Sequence, residues 1–193
     1  MNGLEITAAG FGVVSVYLSV RQNIWSWPTA IVSVGMYTLV FYRSRLYADM
    51  GLQVVYVVLS LYGWYQWLYG GSDRTELKVS RISRRVATAL FAAVLISAGI
   101  LGTLLSRQTD AAIPYVDSLT TSTSLAAQWM MTRKLVENWL VWVAVDVVYI
   151  AMFINRSLHV TAVLYAVYLV LSAVGYFKWR LESRTAGGAV LAT

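Results

Sequence analysis

Polar side chains recur at helical intervals within a stretch that is otherwise strongly apolar. Between residues 136 and 154, Asn138, Trp142, Asp146 and Tyr149 follow one another at intervals of four, four and three residues, which places them on one helix face. Asp146 lies near the middle of the stretch, and no Lys or Arg occurs at matching depth. Because a charge in hydrocarbon is costly unless it is paired or hydrated, we predict that Asp146 faces substrate or water. Pairing with an Arg or capping of a neighbouring helix is the structural alternative.

Two further sets of polar side chains also recur at helical intervals, and each set is here called a polar stripe. One of them comprises Asp117, Thr121, Ser124 and Gln128. This stripe either lines a hydrophilic path or belongs to a helix buried in a bundle, with its hydroxyls bonded back to its own carbonyls. The other comprises Gln53 and Tyr56, followed on the same face by Trp64 and Trp67. We interpret Gln53 and Tyr56 as substrate contacts and the two Trp residues as anchors at the membrane interface.

The residue types and motifs that the chain lacks limit the kinds of catalytic or metal site it could form. The chain has no Cys and one His, which excludes thiolate chemistry, disulfides and metal motifs that need two histidines. It contains no P-loop, no H-E-x-x-H and no G-x-S-x-G motif. It also lacks paired carboxylates at helical spacing. An enzyme is therefore disfavoured, no cofactor or metal is expected, and the stripes are predicted to bind a small polar molecule.

Long apolar stretches position these side chains. Hydrophobic residues make up 59% of the 193 residues and charged residues 12%, whereas soluble domains carry about 25% charge. About 20 apolar residues span the hydrocarbon core of a bilayer. Seven stretches qualify: Leu4–Val20, Ile24–Tyr42, Met50–Tyr69, Val86–Leu105, Ile113–Met131, Val136–Ile154 and Val160–Phe177. The sequence therefore predicts an all-α integral membrane protein with about seven transmembrane helices.

Basic residues in the loops predict the orientation. One side receives eleven of them, namely Arg21, Arg74, Lys78, Arg81, Arg84, Arg85, Arg133, Lys134, Lys178, Arg180 and Arg184. The other side receives four, namely Arg43, Arg45, Arg107 and Arg156. Since cytoplasmic loops carry the excess of positive charge, the N-terminus is predicted outside and the C-terminus in the cytoplasm. The net charge of +6 thus reflects membrane topology, and no nucleic acid is expected as a partner.

The chain also repeats itself. A shift of 112 residues aligns residues 21–67 with residues 133–179 without a gap. The matched pairs include Trp27 and Trp139, Tyr37 and Tyr149, Tyr56 and Tyr168, and Gly63 and Gly175. We predict a three-helix unit at 1–69, a basic cytoplasmic loop with linker helix at 70–112, a second three-helix unit at 113–180 and a disordered tail at 181–193. An even number of crossings separates equivalent helices, so the repeat is parallel, as in SWEET transporters, whose site lies between the repeats.

Three segments resemble a known family. Residues 46–53 (LYADMGLQ), residues 62–67 (YGWYQW) and the Asn-Trp, Trp and Asp run of residues 138–146 resemble the signature of the Pnu family of bacterial vitamin transporters. The best-known branch of that family carries nicotinamide riboside. The resemblance covers about residues 21–69 and 113–180, and it includes the polar fifth helix.

The resemblance implies a fold and a mode of transport. The fold is a compact SWEET-like bundle of two three-helix repeats in the bacterial inner membrane, and association into a homo-oligomer stays open. Transport would be facilitated diffusion of nicotinamide riboside, which a cytoplasmic kinase then traps. Thiamine, also a flat cation, and other B vitamins are alternatives within the family. A membrane enzyme or a non-transporting scaffold are alternatives from other classes, although a scaffold would not need three polar stripes.

Overall fold

Seven helices form one bundle in the computed structural model, which describes residues 3–43, 47–109, 113–155, 157 and 159–190. The helices are α1 (Gly3–Val20), α2 (Ser26–Arg43), α3 (Tyr47–Tyr69), α4 (Arg84–Gln108), α5 (Pro114–Thr132), α6 (Asn138–Asn155) and α7 (His159–Val190). A single 3-10 turn, Ser72–Arg74, lies between α3 and α4. Within the described residues there is no β-sheet, only one isolated bridge between Ser80 and Leu135. The predicted number and order of helices are confirmed.

Four of the helices are long and apolar enough by themselves to cross a membrane, namely α1, α4, α6 and α7. The other three carry more polar residues. In α5, for example, Ser118, Thr120, Ser122 and Ser124 are all buried within the bundle. Polar positions are tolerated in a spanning helix when they are withdrawn from lipid, and these three helices contribute much of the interior surface described below.

The helices are arranged as two groups of three. In the first group α2 packs on α1 and α3, and in the second α6 packs on α5 and α7. The groups meet through two interfaces, α1 with α7 and α3 with α5. Gln22 and Lys134, at corresponding positions of the repeat, both have left-handed backbones, with φ of 53° and 48°. The internal repeat stays a prediction, and these paired contacts agree with it.

Four tryptophans close one end of the bundle, the end that carries the loops 21–25, 70–83 and 133–137 and that we call the basic end. These four residues, here called the tryptophan plug, are Trp27, Trp67, Trp139 and Trp179, and each is at most 3% exposed. The ring centroids of Trp27 and Trp67 are 5.2 Å apart, and those of Trp139 and Trp179 are 5.3 Å apart. Both pairs meet edge to face, at 88° and 87°. The interpretation of Trp67 as an interfacial anchor is wrong, because its ring is enclosed by helices of both groups.

Two glycines make room for the plug. A Cβ atom on Gly63 would lie 2.2 Å from Cη2 of Trp27, and one on Gly175 would lie 2.6 Å from Cδ2 of Trp139. Both distances are far below van der Waals contact, so the rings can pack only against a bare backbone. The matched glycines of the repeat therefore have the same role: each accepts the indole of the preceding helix in its own group.

The basic loop 70–83 makes backbone and packing contacts with the bundle. The backbone amide of Ser80 donates to the carbonyl of Lys134 at 3.0 Å, and the amide of Val136 donates to the carbonyl of Ser80 at 2.9 Å. Leu77 and Val79 pack against the hydrophobic core that surrounds the tryptophan plug. This loop therefore lies across the basic end as a strap, in addition to carrying positive charge.

The end of the chain departs from the predicted span. Hydropathy ended the seventh span at Phe177, whereas α7 continues to Val190. The predicted tail at 181–193 therefore overlaps the end of this helix, and residues 191–193 lie outside the described part of the chain. A helix can extend past the membrane because its backbone hydrogen bonds are internal, while hydropathy reports only the part in contact with hydrocarbon.

The orientation can be tested with single cysteines, since the chain has none of its own. Ser72 lies in the loop that precedes α4 and Gln108 is the last residue of α4, and both are exposed. In intact cells we expect a membrane-impermeant maleimide to label Gln108→Cys and to reach Ser72→Cys only after the membrane is opened. Labelling of both positions from the same side would contradict the predicted arrangement of seven crossings.

Candidate substrate cavity

A cavity of about 560 Å³ lies inside the bundle, beside the tryptophan plug. Its described lining comes from α1, α2, α3, α5, α6 and α7, so both groups of helices contribute and α4 does not. Trp27, Trp139 and Met131 line it near the basic end, and Phe41 and Phe153 line it toward the other end. A cavity shared by two three-helix groups is where a parallel-repeat transporter holds its substrate.

The structure brings together six of the nine predicted site residues. The six that line the cavity are Gln53, Tyr56, Gln128, Trp142, Asp146 and Tyr149. Asp117, Thr121 and Asn138 are not among the lining residues. Asn138 is fully buried at the first position of α6 instead, where its side-chain nitrogen donates to the carbonyl of Leu135 at 2.5 Å.

Asp146 is the acidic residue of the cavity lining. It is 2% exposed, and its Oδ2 accepts a hydrogen bond of 3.3 Å from the hydroxyl of Ser172 on α7. No Lys or Arg lines the cavity in the described part of the chain. A hydroxyl can orient a carboxylate but cannot neutralise it, so Asp146 offers a negative charge for which a cationic ligand would be the natural partner.

Aromatic rings surround this carboxylate on the side of the second group. Tyr149 stacks on Phe153, with a centroid distance of 5.8 Å and an angle of 17°. Tyr165 lies 5.0 Å from Tyr149 and 5.1 Å from Phe153, and Tyr168 meets Tyr165 edge to face at 5.6 Å. These rings fix one another, so the wall that they form is preorganised for a flat ligand.

The polar side chains of α5 agree partly with a buried helix and partly with a hydrophilic lining. The hydroxyls of Thr120 and Ser124 donate to the carbonyls of Val116 and Thr120, at 2.9 and 2.8 Å, as expected for a buried polar helix. Ser124 also lines the cavity together with Gln128, and its side chain interacts with those of Tyr56 and Tyr149. The polar side chains of α5 thus partly pack inside the bundle and partly line the cavity.

Unpaired polar atoms lie near the basic end of the cavity. Nε1 of Trp27, Nε1 of Trp139 and the hydroxyl of Ser26 are buried and have no hydrogen-bond partner among the described residues. All three side chains line the cavity. Buried polar groups usually find a partner in the protein, in water or in a ligand. Two indole donors and one hydroxyl of the lining residues are therefore without a hydrogen-bond partner in the described structure.

The two groups of helices contribute unequally. Corresponding positions of the repeat carry Val34 and Asp146, Ala30 and Trp142, Val16 and Gln128, and Gly12 and Ser124, all of them in the lining. In each pair the residue of the second group is the polar or larger one. The first group also lines the cavity with polar side chains, among them Ser33, Gln53 and Tyr56, but the carboxylate and the largest of these paired residues come from the second group, which favours a single asymmetric site over two equivalent ones.

Sequence reasoning missed the contribution of α7. Tyr165, Tyr168 and Ser172 line the cavity, but the predicted site had no residue on this helix. The internal repeat indicated this contribution, because it matches Tyr168 with Tyr56, a predicted site residue. Applying the repeat to the predicted site residues as well as to the helices would have found it.

A seven-helix membrane bundle with an internal polar and aromatic cavity is the architecture of a small-molecule transporter. The chain belongs to the nicotinamide mononucleotide transporter family, whose model matches residues 2–181. Members of this family are transporters and not enzymes, which confirms the class predicted from the sequence.

Individual relatives support this assignment. The nicotinamide riboside transporter PnuC of Escherichia coli is 24% identical, with 99% of this chain and 90% of the relative covered. The riboflavin/roseoflavin transporter RibM of Streptomyces davaonensis is 28% identical, with 93% and 85% covered. The crystal structure of the vitamin B3 transporter PnuC superposes with a TM-score of 0.76 at 24% identity, covering 94% of this chain and 82% of that one.

Proposed function

We propose that this protein takes up nicotinamide riboside across the bacterial inner membrane by facilitated diffusion. The observation that carries the proposal is Asp146, a buried carboxylate in an aromatic cavity that has no cationic partner among the described lining residues. Nicotinamide riboside combines a flat cationic ring with a polyhydroxyl sugar and a carboxamide. Its ring charge complements Asp146, and its polar groups suit Gln53, Gln128 and the free indole donors.

The aromatic wall adds to this recognition. Trp142 and Tyr149 lie on the same face of α6 as Asp146, so a ring held near the carboxylate can contact them too. Each favourable contact between a cation and an aromatic face contributes roughly 0.5–2 kcal/mol, depending on desolvation. A flat cation is therefore favoured over a flat neutral molecule of similar size.

Riboflavin is the second candidate, because a riboflavin and roseoflavin transporter is among the relatives. Riboflavin is flat and has a polyhydroxyl chain, but it is uncharged and offers Asp146 no countercharge. Thiamine is a flat cation and satisfies the same electrostatic argument as nicotinamide riboside. The three vitamins are thus distinguished by charge first and by the pattern of polar groups second.

Transport is proposed to be passive, with a cytoplasmic kinase trapping the vitamin by phosphorylation. The chain contains no nucleotide-binding P-loop. In the described residues no group of three or more His, Cys, Asp or Glu side chains forms a cluster that would suggest a cation site. Purified protein in liposomes should therefore equilibrate labelled nicotinamide riboside without ATP, a sodium gradient or a pH gradient. Accumulation above equilibrium that depends on a gradient, with no kinase inside, would refute passive transport.

The tryptophan plug is proposed to be the gate at the basic end, which faces the cytoplasm in the predicted orientation. Each edge-to-face pair lies within one group of helices, whereas the contact between Trp67 and Trp179, at 5.9 Å, joins the two groups. Two further bonds cross the same boundary: Nε1 of Trp67 donates to the carbonyl of Met131 at 3.0 Å, and Nε1 of Trp179 donates to that of Val20 at 3.3 Å. Rocking of one group against the other would break these contacts and leave each pair intact.

Lys134 strengthens the closed gate from outside the plug. Its side chain is 1% exposed, and its Nζ lies 4.6 Å from the Trp67 ring centroid and 3.0 Å from Oε1 of Glu76 on the strap. A cation held against an aromatic face and paired with a carboxylate ties the strap, α3 and the α5–α6 loop together. Opening the basic end would therefore require the strap to move with the plug.

A cross-link across the gate tests this mechanism. The Gln22 side chain, from the α1–α2 loop, donates a hydrogen bond to Glu182 on α7. Cysteines at both positions, joined by a short bifunctional methanethiosulfonate, should hold the basic end closed and reduce uptake to background while ligand binding persists. Reductant should restore uptake, and each single cysteine treated in the same way is the control. Normal uptake by protein shown by mass to be cross-linked would contradict the gate.

A further inference from the structure

A long apolar groove runs along the outside of the bundle between α4, α5 and α6. Its volume is about 680 Å³. It is separate from the substrate cavity, which lies on the other side of α5 and α6. The main packing partner of α4 is α5, so the groove opens sideways between α4 and α6. Phe91, Val94, Leu119, Leu140 and Val148 are among its walls, and Phe91 is 67% exposed.

The few polar groups along the groove are already satisfied. The hydroxyl of Thr123 donates to the carbonyl of Leu119 at 2.6 Å, and that of Thr120 donates to the carbonyl of Val116. Both threonines therefore present mainly hydrocarbon to the groove. Its interior suits an alkyl chain, and it offers no hydrogen bond to hold a polar ligand.

The mouth of the groove at the basic end is charged, in contrast to its apolar interior. Ile82 and Glu137 lie there. The Glu137 carboxylate accepts hydrogen bonds from the backbone amide of Ile82 at 2.9 Å and from Nε of Arg81 at 3.3 Å, so it is neutralised locally. Arg84 and Arg85, both exposed, form the first turn of α4, where the helix dipole also favours an anion.

The groove is longer than one half of a bilayer is thick. The α5 lining runs from Val116 to Met130, which corresponds to about 21 Å at 1.5 Å per residue. One leaflet of the hydrocarbon core is about 15 Å thick, half of the full core. An acyl chain whose headgroup lies at the basic end can therefore be accommodated over its whole length.

We propose that the groove binds an anionic phospholipid, with an acyl chain between α4 and α6 and the phosphate beside Arg84 and Arg85. A second copy of the chain is the competing occupant. Copies inserted in the same orientation would bring another basic end beside the same arginines, and this repulsion favours a lipid with a negative headgroup. The proposal is independent of which vitamin the cavity accepts.

Native mass spectrometry of delipidated protein tests the proposal, with dioleoyl phosphatidylglycerol and dioleoyl phosphatidylcholine as probes. We expect one tightly retained phosphatidylglycerol per chain and weaker retention of phosphatidylcholine. The double variant Arg84→Gln/Arg85→Gln should bind phosphatidylglycerol roughly thirtyfold more weakly, since each basic residue near an anionic surface contributes about 1 kcal/mol. The control Arg74→Gln/Lys78→Gln removes two exposed charges from the loop before α4, farther along the chain from the groove-lining residues Ile82 and Ala87, and should leave binding unchanged.

A second variant tests the groove itself. Ala144 lines it on α6, and Ala144→Phe should reduce retention of both lipids while the protein remains monodisperse. Equal retention of the two lipids by the wild-type protein would overturn the proposal, as would equal losses in the two charge variants. A dimer that Ala144→Phe dissociates would also overturn it, by showing that a second copy fills the groove. If Ala144→Phe does not fold, the comparison of the two charge variants decides the matter.

Discussion

Replacing Asp146 by asparagine is expected to weaken the binding of nicotinamide riboside by about 1–3 kcal/mol, the range for a hydrogen bond or contact that involves a charged group. The substitution keeps the shape of the side chain and its hydrogen bond from Ser172, while it removes the charge that the described lining leaves without a cationic partner. Calorimetry on folded, detergent-purified variants measures the effect.

Two comparisons separate charge from structure in that experiment. Asp117→Asn removes a carboxylate from α5 that does not line the cavity, so its affinity should stay close to that of the wild-type protein. A neutral flat ligand such as riboflavin should lose much less affinity than a cation when Asp146 is replaced. Wild-type affinity of Asp146→Asn together with a large loss in Asp117→Asn would move the site to the polar stripe of α5. A variant that fails to fold would favour a structural role for Asp146.

Truncation of Trp67 to alanine is expected to destabilise the protein by about 3–5 kcal/mol, the usual range for a buried Trp. Trp67 is 1% exposed, contacts Trp27 and Trp179, and donates a hydrogen bond to the carbonyl of Met131. Its removal leaves a cavity at the boundary of the two helix groups and leaves one carbonyl without its indole partner. Unfolding in mixed dodecyl maltoside and dodecyl sulfate micelles measures the free-energy change.

Trp25 provides the matched control for this truncation. It lies near the same end of the bundle but is 65% exposed, so Trp25→Ala should change the free energy of unfolding by less than about 0.5 kcal/mol. Gly63→Ala supports the same argument without removing an aromatic ring, because its Cβ would collide with Trp27. Equal stabilities of Trp67→Ala and Trp25→Ala would show that the plug contributes little, and that Trp67 behaves as the interfacial anchor first predicted.

The helices were predictable because the bilayer imposes one strong constraint on the sequence. Every spanning segment must satisfy its backbone internally and present about 20 mostly apolar residues. The predicted span Met50–Tyr69 therefore ends at the same residue as α3, and Ile113–Met131 differs from α5 by one residue at each end. The end of α7 was missed because a helix that leaves hydrocarbon no longer has a hydropathy signal.

The site was predictable only in part, for a different physical reason. Helical spacing shows which side chains share a face, and Trp142, Asp146 and Tyr149, which it groups on one face, line the same cavity. It does not show which neighbour that face meets. A Trp near a membrane end suits both an interfacial belt and a buried core, so Trp67 was assigned to the wrong one. Asn138 lies one turn before Trp142, yet the local geometry at the start of α6 turns it into the protein interior.

The most direct test of the account is uptake of labelled nicotinamide riboside by liposomes that contain the purified protein, with unlabelled thiamine and riboflavin as competitors. We expect saturable uptake of nicotinamide riboside that equilibrates without an energy source and is reduced in Asp146→Asn. Thiamine should compete better than riboflavin, because thiamine carries a positive charge. Saturable uptake of riboflavin with no uptake of either cation, unchanged in Asp146→Asn, would contradict these expectations.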